Sequence, residues 1–170
     1  MKKLLLIPLV IVIMMVQTLQ AKALPEYALK TAYLYNFALL TQWSVNDNKS
    51  DTFNICFYKE DFGTASDVLK EKTIHDKKIN LFSVDTIEEA KKCQMVYIRD
   101  KEIVEETELV ALLSESHILV VTDNEEIENT HITIFSDSTK LAFNINLKSL
   151  KNTELIVSSH LLKLAKKVIR

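Results

Sequence analysis

One glycine, Gly63, stands in a chain of 170 residues. Sharp turns and close backbone approach to a ligand both lean on glycine, because a residue without a Cβ enters the left-handed region freely. A phosphate-cradling P-loop, a dinucleotide-binding fingerprint and a Gly-x-Ser-x-Gly nucleophile elbow each need several glycines. None of them can be written in this chain. Its turns are expected to use Asn, Asp and Ser instead, as at Asp123-Asn124 and Ser136-Asp137-Ser138.

The N-terminus carries an address. Met1-Lys2-Lys3 is a short basic start, Leu4 to Val16 is apolar, and Ala21-Lys22-Ala23 offers small residues for a signal peptidase. This is the form of a secretory signal peptide over residues 1–23. The apolar run contains Pro8 and falls short of the roughly 20 apolar residues that a spanning helix needs, which argues against an uncleaved anchor. No cysteine follows the run, which argues against lipid attachment. Cleavage after Ala23 leaves residues 24–170, the size of one ordinary domain. The whole chain has a formal charge of −2; the leader holds three lysines and no acid, so the mature chain falls to −5. A mildly acidic surface argues against nucleic acid and anionic membranes as partners.

Export bears on the two cysteines, Cys56 and Cys93. An even count in an oxidising compartment points to one disulfide, the alternative being two separate buried thiols. Metal binding is disfavoured, because neither cysteine has a histidine at ligand spacing.

Hydrophobic periodicity supplies the elements. Residues 26–43 carry Leu29, Ala32, Tyr33, Asn36, Phe37, Leu40 and Trp43 at helical spacing, with Pro25 at the start. Strands are predicted over 52–58, 78–84, 94–98 and 117–122. Between them, helices are predicted over 61–72 (Ala65, Val68 and Leu69 inward), over 86–92 capped by Asp85, and over 105–114. Residues 130–135 and 140–145 alternate around a polar turn and read as a hairpin. A helical turn follows at 147–150, and a closing helix at 158–169, its last turns rich in Lys163, Lys166, Lys167 and Arg170. This order implies an α/β fold: a mostly parallel central sheet, helices on both faces, a C-terminal hairpin and a closing helix. If the first and third strands are neighbours, Cys56 and Cys93 come within bonding reach.

No catalytic residue is specified. His75, His117, His131 and His160 are scattered. Ser159 and His160 are adjacent, and helical neighbours one apart do not face each other. Asp123, Glu125 and Glu126 follow a strand at the end where open α/β sheets bind ligands, so Asp123 marks a candidate small-molecule site; a plain polar loop is the competing reading. Tyr33, Tyr35 and Trp43 read first as core, yet Tyr33 and Tyr35 cannot both point inward. An outward aromatic there is a candidate partner anchor.

Three stretches together resemble the YfiR family of periplasmic regulators. They are the helix with Lys30, Ala32, Tyr33, Leu34, Tyr35, Phe37 and Trp43; the strands Asn54-Ile55-Cys56 and Cys93-Gln94-Met95-Val96-Tyr97-Ile98; and Leu141 to Leu147 followed by Leu155 to Ala165. The order covers nearly the whole mature chain. Ser44 stands where the family often has Pro, and Asn129-Thr130 and Thr153-Glu154 stand where it usually has glycines. Some members carry a second disulfide, for which this chain has no cysteines. The resemblance implies a periplasmic repressor rather than an enzyme. The residues themselves offer no cofactor-binding motif and no metal-ligand spacing. The implied partner is the periplasmic domain of a membrane-bound diguanylate cyclase, whose inhibition lowers cyclic di-GMP and so biofilm formation. It further implies release by redox stress or by an outer-membrane lipoprotein, and a homodimer. The rival reading is a periplasmic sensor or binding module with its pocket near Asp123.

Overall fold

The structure is a computed structural model that describes residues 26–43, 50–99, 105–115 and 117–170. The signal-peptide stretch lies outside the described residues, as do residues 44–49, 100–104 and 116.

The chain opens on helix α1 (26–39) and a short strand β1 (Thr41–Gln42). Then follow β2 (Thr52–Tyr58), two 3-10 turns (Gly63–Ala65 and Asp67–Leu69), β3 (Thr73–Ile74) and β4 (Lys77–Val84). The middle holds α2 (Ile87–Ala90), β5 (Met95–Ile98), α3 (Glu106–Leu113) and β6 (Leu119–Thr122). The chain ends through β7 (Ile132–Asp137), β8 (Lys140–Asn146), α4 (Leu147–Leu150), β9 (Ile156–Val157), α5 (Ser159–Leu164) and β10 (Lys167–Ile169).

Eight strands form one sheet in the order β10-β8-β7-β6-β5-β2-β4-β3, and β1 pairs with β9 in a separate ribbon. Within the sheet, β4, β2, β5, β6 and β7 run parallel. β3 and β8 run antiparallel to β4 and β7, and β10 runs parallel to β8. The sheet is therefore mixed, where the sequence predicts a mostly parallel one, and its helices are short. Two tight hairpins reverse the chain at the flanks. His75 and Asp76 (φ 49° and 67°) make one turn, and Ser138 (φ 60°) opens the other. These residues take the left-handed conformations that glycine would otherwise supply.

Alternating side chains separate two cores. Phe53, Ile55, Phe57, Met95, Tyr97, Leu119 and Val121 lie in one, with Leu34, Phe37 and Ala38 of α1, Leu150 of α4 and Leu161 of α5. Cys56, Tyr58, Val96, Ile98, Ile118 and Val120 lie in the other, with Ala90 of α2 and Leu109 and Leu112 of α3. The central strands are buried on both faces, which explains their unbroken apolar runs. β2 and β5 are neighbours, and a disulfide joins Cys56 to Cys93 with their Cα atoms 6.1 Å apart.

Four local expectations change. The helix predicted at 61–72 is two 3-10 turns, because Asp61 caps the Gly63 N–H at 2.7 Å and Gly63 takes φ +52°, while Ser66 bonds back to Gly63. Val68 consequently points out, 55% exposed. Thr86, not Asp85, caps α2: its hydroxyl accepts the Glu89 N–H at 3.3 Å, and the Glu89 carboxylate accepts the Asp85 N–H at 3.0 Å. The first helix stops at residue 39, since Thr41–Gln42 pairs with Ile156–Val157. Its buried face is Lys30, Leu34, Phe37 and Ala38, while Leu29 of the predicted stripe is 46% exposed. The closing helix ends at Leu164, because Ala165 turns extended and Lys167–Ile169 adds a strand to β8. Val168 and Ile169 are β-branched, and the β8 edge leaves backbone groups in need of partners.

Candidate functional site

In the parallel part of the sheet, the chain runs from β2 out to β4 and then back across to β5 on the opposite side of β2. Strand order reverses between β2 and β5. In doubly wound sheets, such a reversal opens a crevice at the carboxyl ends of the strands, where ligands bind. The residues that follow those ends are Lys59-Glu60 after β2, Arg99 after β5 and Asp123 after β6. Lys59 takes a left-handed φ of 49°, and its N–H holds the Val84 carbonyl at 2.8 Å. That kink turns Glu60 across to Arg99, where Oε2 and Nη1 are 3.2 Å apart.

The first turn of α1 sits on the crevice. Lys30 reaches Glu26 Oε1 at 2.6 Å and Asp123 Oδ2 at 2.5 Å. It is only 5% exposed. Burial works to strip its proton, but the two carboxylates prevail and hold its ammonium above the ordinary lysine range. Arg99 donates to the Tyr27 hydroxyl, with its guanidinium 5.4 Å from the Tyr27 ring centroid. Tyr27 in turn packs on Phe62 at 4.9 Å.

Beneath this layer lies Tyr97, 0% exposed. Burial first, and then the Asp123 carboxylate, push its phenol far above the usual tyrosine range, so it stays protonated. The Tyr97 hydroxyl and Asp123 Oδ1 are both buried, and the protonated phenol interacts with the Asp123 carboxylate as donor with acceptor. Glu26, Lys30, Arg99, Asp123, Ser136 and Leu141 line a cleft of about 170 Å³ here. A second, more open cleft of about 400 Å³ lies between β4 and the 3-10 turns, beside Phe57, Asp61 and Phe82. Its polar groups are engaged locally: Asp61 caps Gly63, and Asp67 pairs with Lys70 at 2.7 Å.

The sequence-derived candidates divide between these places. Asp123 is at the centre of the crevice; Glu125 and Glu126 are exposed on the turn beyond it. Tyr33 is pinned inward, its hydroxyl donating to the Leu141 carbonyl at 2.7 Å and its ring 5.7 Å from Phe37 and Phe143. Tyr35 sits at the rim near β3, with the Lys72 ammonium 5.1 Å from its ring centroid. Trp43 packs edge-on against Phe53 at 4.9 Å, and its indole N–H donates to the His117 carbonyl at 2.8 Å. All three are partly buried against the first core. Ser159 and His160 are both exposed on α5. Among the described residues, no cluster of His, Cys, Asp or Glu could hold a metal ion. Lys30, Arg99, Glu60 and Tyr97 carry no sequence signal as a group, because they are distant in the chain and match no motif.

Fold and crevice define a mixed α/β domain with a charged crevice at the carboxyl ends of its parallel strands. The chain belongs to the YfiR/HmsC-like family, whose model matches residues 27–166. No curated protein matches it. Among the described residues, no helix is long and apolar enough to cross a membrane.

Proposed function

We propose that this protein is a periplasmic regulator that docks on the periplasmic domain of an inner-membrane diguanylate cyclase and holds it inactive. The observation that carries the reading is the family match, which spans residues 27–166 and so nearly the whole exported chain. The signal-peptide form of residues 1–23 agrees with it. So does a domain without the glycine-rich loops of nucleotide chemistry.

Inhibition by docking needs no reaction. A bound regulator shifts its receptor between two conformations by as much as its affinities for them differ. The docking surface in this reading is the outer side of α1 around the half-buried Tyr35, continued by Trp43 just beyond β1, with Tyr33 bracing it from beneath. The Cys56–Cys93 disulfide fastens β2 to the segment leading into β5 and keeps the sheet behind that flank in one geometry.

Deleting the gene in cells that retain the cognate cyclase is expected to raise cyclic di-GMP, measured by mass spectrometry of nucleotide extracts. Re-expression of the exported protein should restore the lower level. Unchanged cyclic di-GMP in the deletion strain would count decisively against the repressor.

A further inference from the structure

We propose that the sheet edge formed by β8 and β10, together with α4 and α5, docks on an anionic phospholipid surface. The docking is peripheral: lysine and arginine heads meet lipid phosphates, and an exposed leucine enters the headgroup layer. This goes beyond the receptor-docking reading, and its test contains no receptor. Three observations carry it.

The first is charge. Residues 140–170 hold seven Lys and Arg against one acid, Glu154, a balance of +6. The exported chain 24–170 carries −5, so residues 24–139 hold −11. A net negative charge argues against an anionic surface only when the charge is evenly spread, and here it is not. The second is placement. β10 is the outermost strand of the sheet, beside β8, and α4 packs on it. Lys167 lies opposite Asn144 and Ile169 opposite Asn146, which brings Arg170 level with the start of α4. Lys148 and Lys151 are exposed on and just after that helix, and Lys163 is exposed on α5, the helix that leads into β10. All seven cations are exposed, and among the described residues only Lys166 of the seven is in an ion pair, with Asp137 at 2.7 Å. The third is apolar exposure. Ile156, 63% exposed, and Leu164, 58% exposed, are the most exposed large hydrophobics of the described residues, and both lie in this segment.

A basic surface with aliphatic side chains left in water suits a bilayer, where cations sit at the phosphates and apolar groups at the acyl boundary. Each Lys or Arg brought up to an anionic membrane strengthens binding about fivefold, and basic clusters that recognise such membranes hold about four to eight. This edge offers six besides Lys166. Lipid docking holds an exported regulator in the plane of the membrane that carries its receptor, which raises its effective concentration there.

The test sediments the exported chain, residues 24–170, with vesicles of equal parts phosphatidylglycerol and phosphatidylcholine, and with phosphatidylcholine alone. Co-sedimentation with the mixed vesicles at low salt is expected, and none with phosphatidylcholine alone. About 1 M NaCl should release the protein, since charges there are screened beyond about 3 Å. Lys163→Gln with Lys167→Gln removes two exposed cations and should weaken binding about 25-fold. Lys78→Gln with Lys92→Gln makes the same change in net charge on other exposed positions and should bind as the parent does. Leu164→Ser should weaken binding about tenfold and leave its salt dependence unchanged. All five positions are exposed, so the variants should melt with the parent. Equal losses in the two double variants would reduce the effect to net charge and overturn the edge. No sedimentation with the mixed vesicles, or equal binding to phosphatidylcholine alone, would overturn the lipid. Binding to polyglutamate but to neither vesicle would assign the edge to an acidic polypeptide and overturn the lipid as well. Receptor capture in solution is scored separately, so failure here leaves the repressor reading standing.

Discussion

Lys30 shows how a single residue sets the phase of an element. A lysine at helical spacing from Leu34, Phe37 and Ala38 reads as a surface residue interrupting an apolar stripe. Here it is buried, because Asp123 and Glu26 satisfy its charge. That pairing rotates α1 so that Leu29 faces out. Replacing one partner of a buried pair leaves the other uncompensated, at a cost of about 3–5 kcal/mol. Lys30→Met is therefore expected to lower the urea-unfolding free energy by that order. The double variant Lys30→Met with Asp123→Leu should recover most of the loss, since apolar replacement of a whole buried pair is often neutral. If the double variant loses the sum of the two single losses, the pair is not the reason for the burial. His131 behaves oppositely. It is buried, its Nδ1 accepts the Val120 N–H at 3.0 Å, and burial lowers its pKa to about 4. The unfolded chain binds its proton near the ordinary value of about 6.5. Its contribution is thus complete above about pH 6.5 and is lost as the pH falls towards 4. The loss approaches about 3 kcal/mol at the lower end. Unfolding free energies at pH 7 and pH 4.5 should show the decline. His131→Gln, which keeps an acceptor and does not titrate, should flatten it.

At the scale of elements, the sequence revealed what local periodicity controls and concealed what a distant strand decides. The apolar runs of β2, β5 and β6 were legible because both faces are buried and no polar alternation was needed. The hairpin of β7 and β8 was legible from its alternation and polar turn. The final helix was misjudged in its last turn, because Ala165 to Arg170 keeps helical spacing on paper. Pairing with Asn144, Ile145 and Asn146 of β8 is a tertiary effect that no window of the sequence contains. The same holds for Thr41–Gln42, which leaves α1 to meet β9. The disulfide was within reach of sequence reasoning once β2 and β5 were neighbours. It closes a separation of 37 residues, and on the chain-entropy model such a loop contributes roughly 4 kcal/mol. Both sulfurs sit in the second core, so mild reductant should leave the native protein oxidised. The variant Cys56→Ala with Cys93→Ala is expected to shift the urea midpoint down by a corresponding amount. Coincident midpoints would show that the bridge adds nothing to stability.

For the whole molecule, the aromatic groups around α1 differ in how firmly the fold holds them, and the docking proposal rests on the more loosely held. The α/β class and the central strands followed from the sequence, but the short strands β1, β3, β9 and β10, the mixed pairing and the crevice did not. The five charged groups of the crevice come from α1 and the ends of β2, β5 and β6, and only the reversal of strand order brings them together. Asp123 alone was identifiable, since it follows an obvious buried strand. The aromatic triad was legible as a cluster, while its division of labour needed three dimensions. Tyr33 spans from α1 to β8 through its bond to Leu141 and its contact with Phe143. Truncating it opens a cavity between helix and sheet, so Tyr33→Ala should cost about 3 kcal/mol in unfolding free energy. Tyr35 has weaker ties: a 3.4 Å contact from its hydroxyl to the Thr73 carbonyl and the neighbouring Lys72. Tyr35→Ala is expected to stay within about 1 kcal/mol of the parent in stability. If the flank of α1 docks on the receptor, the same change should weaken capture of the cyclase's periplasmic domain about 30-fold, the scale of an aromatic hot spot. Calorimetric titration of that domain with each variant separates the two roles. A Tyr35→Ala protein that binds the domain as tightly as the parent would move the docking surface off α1.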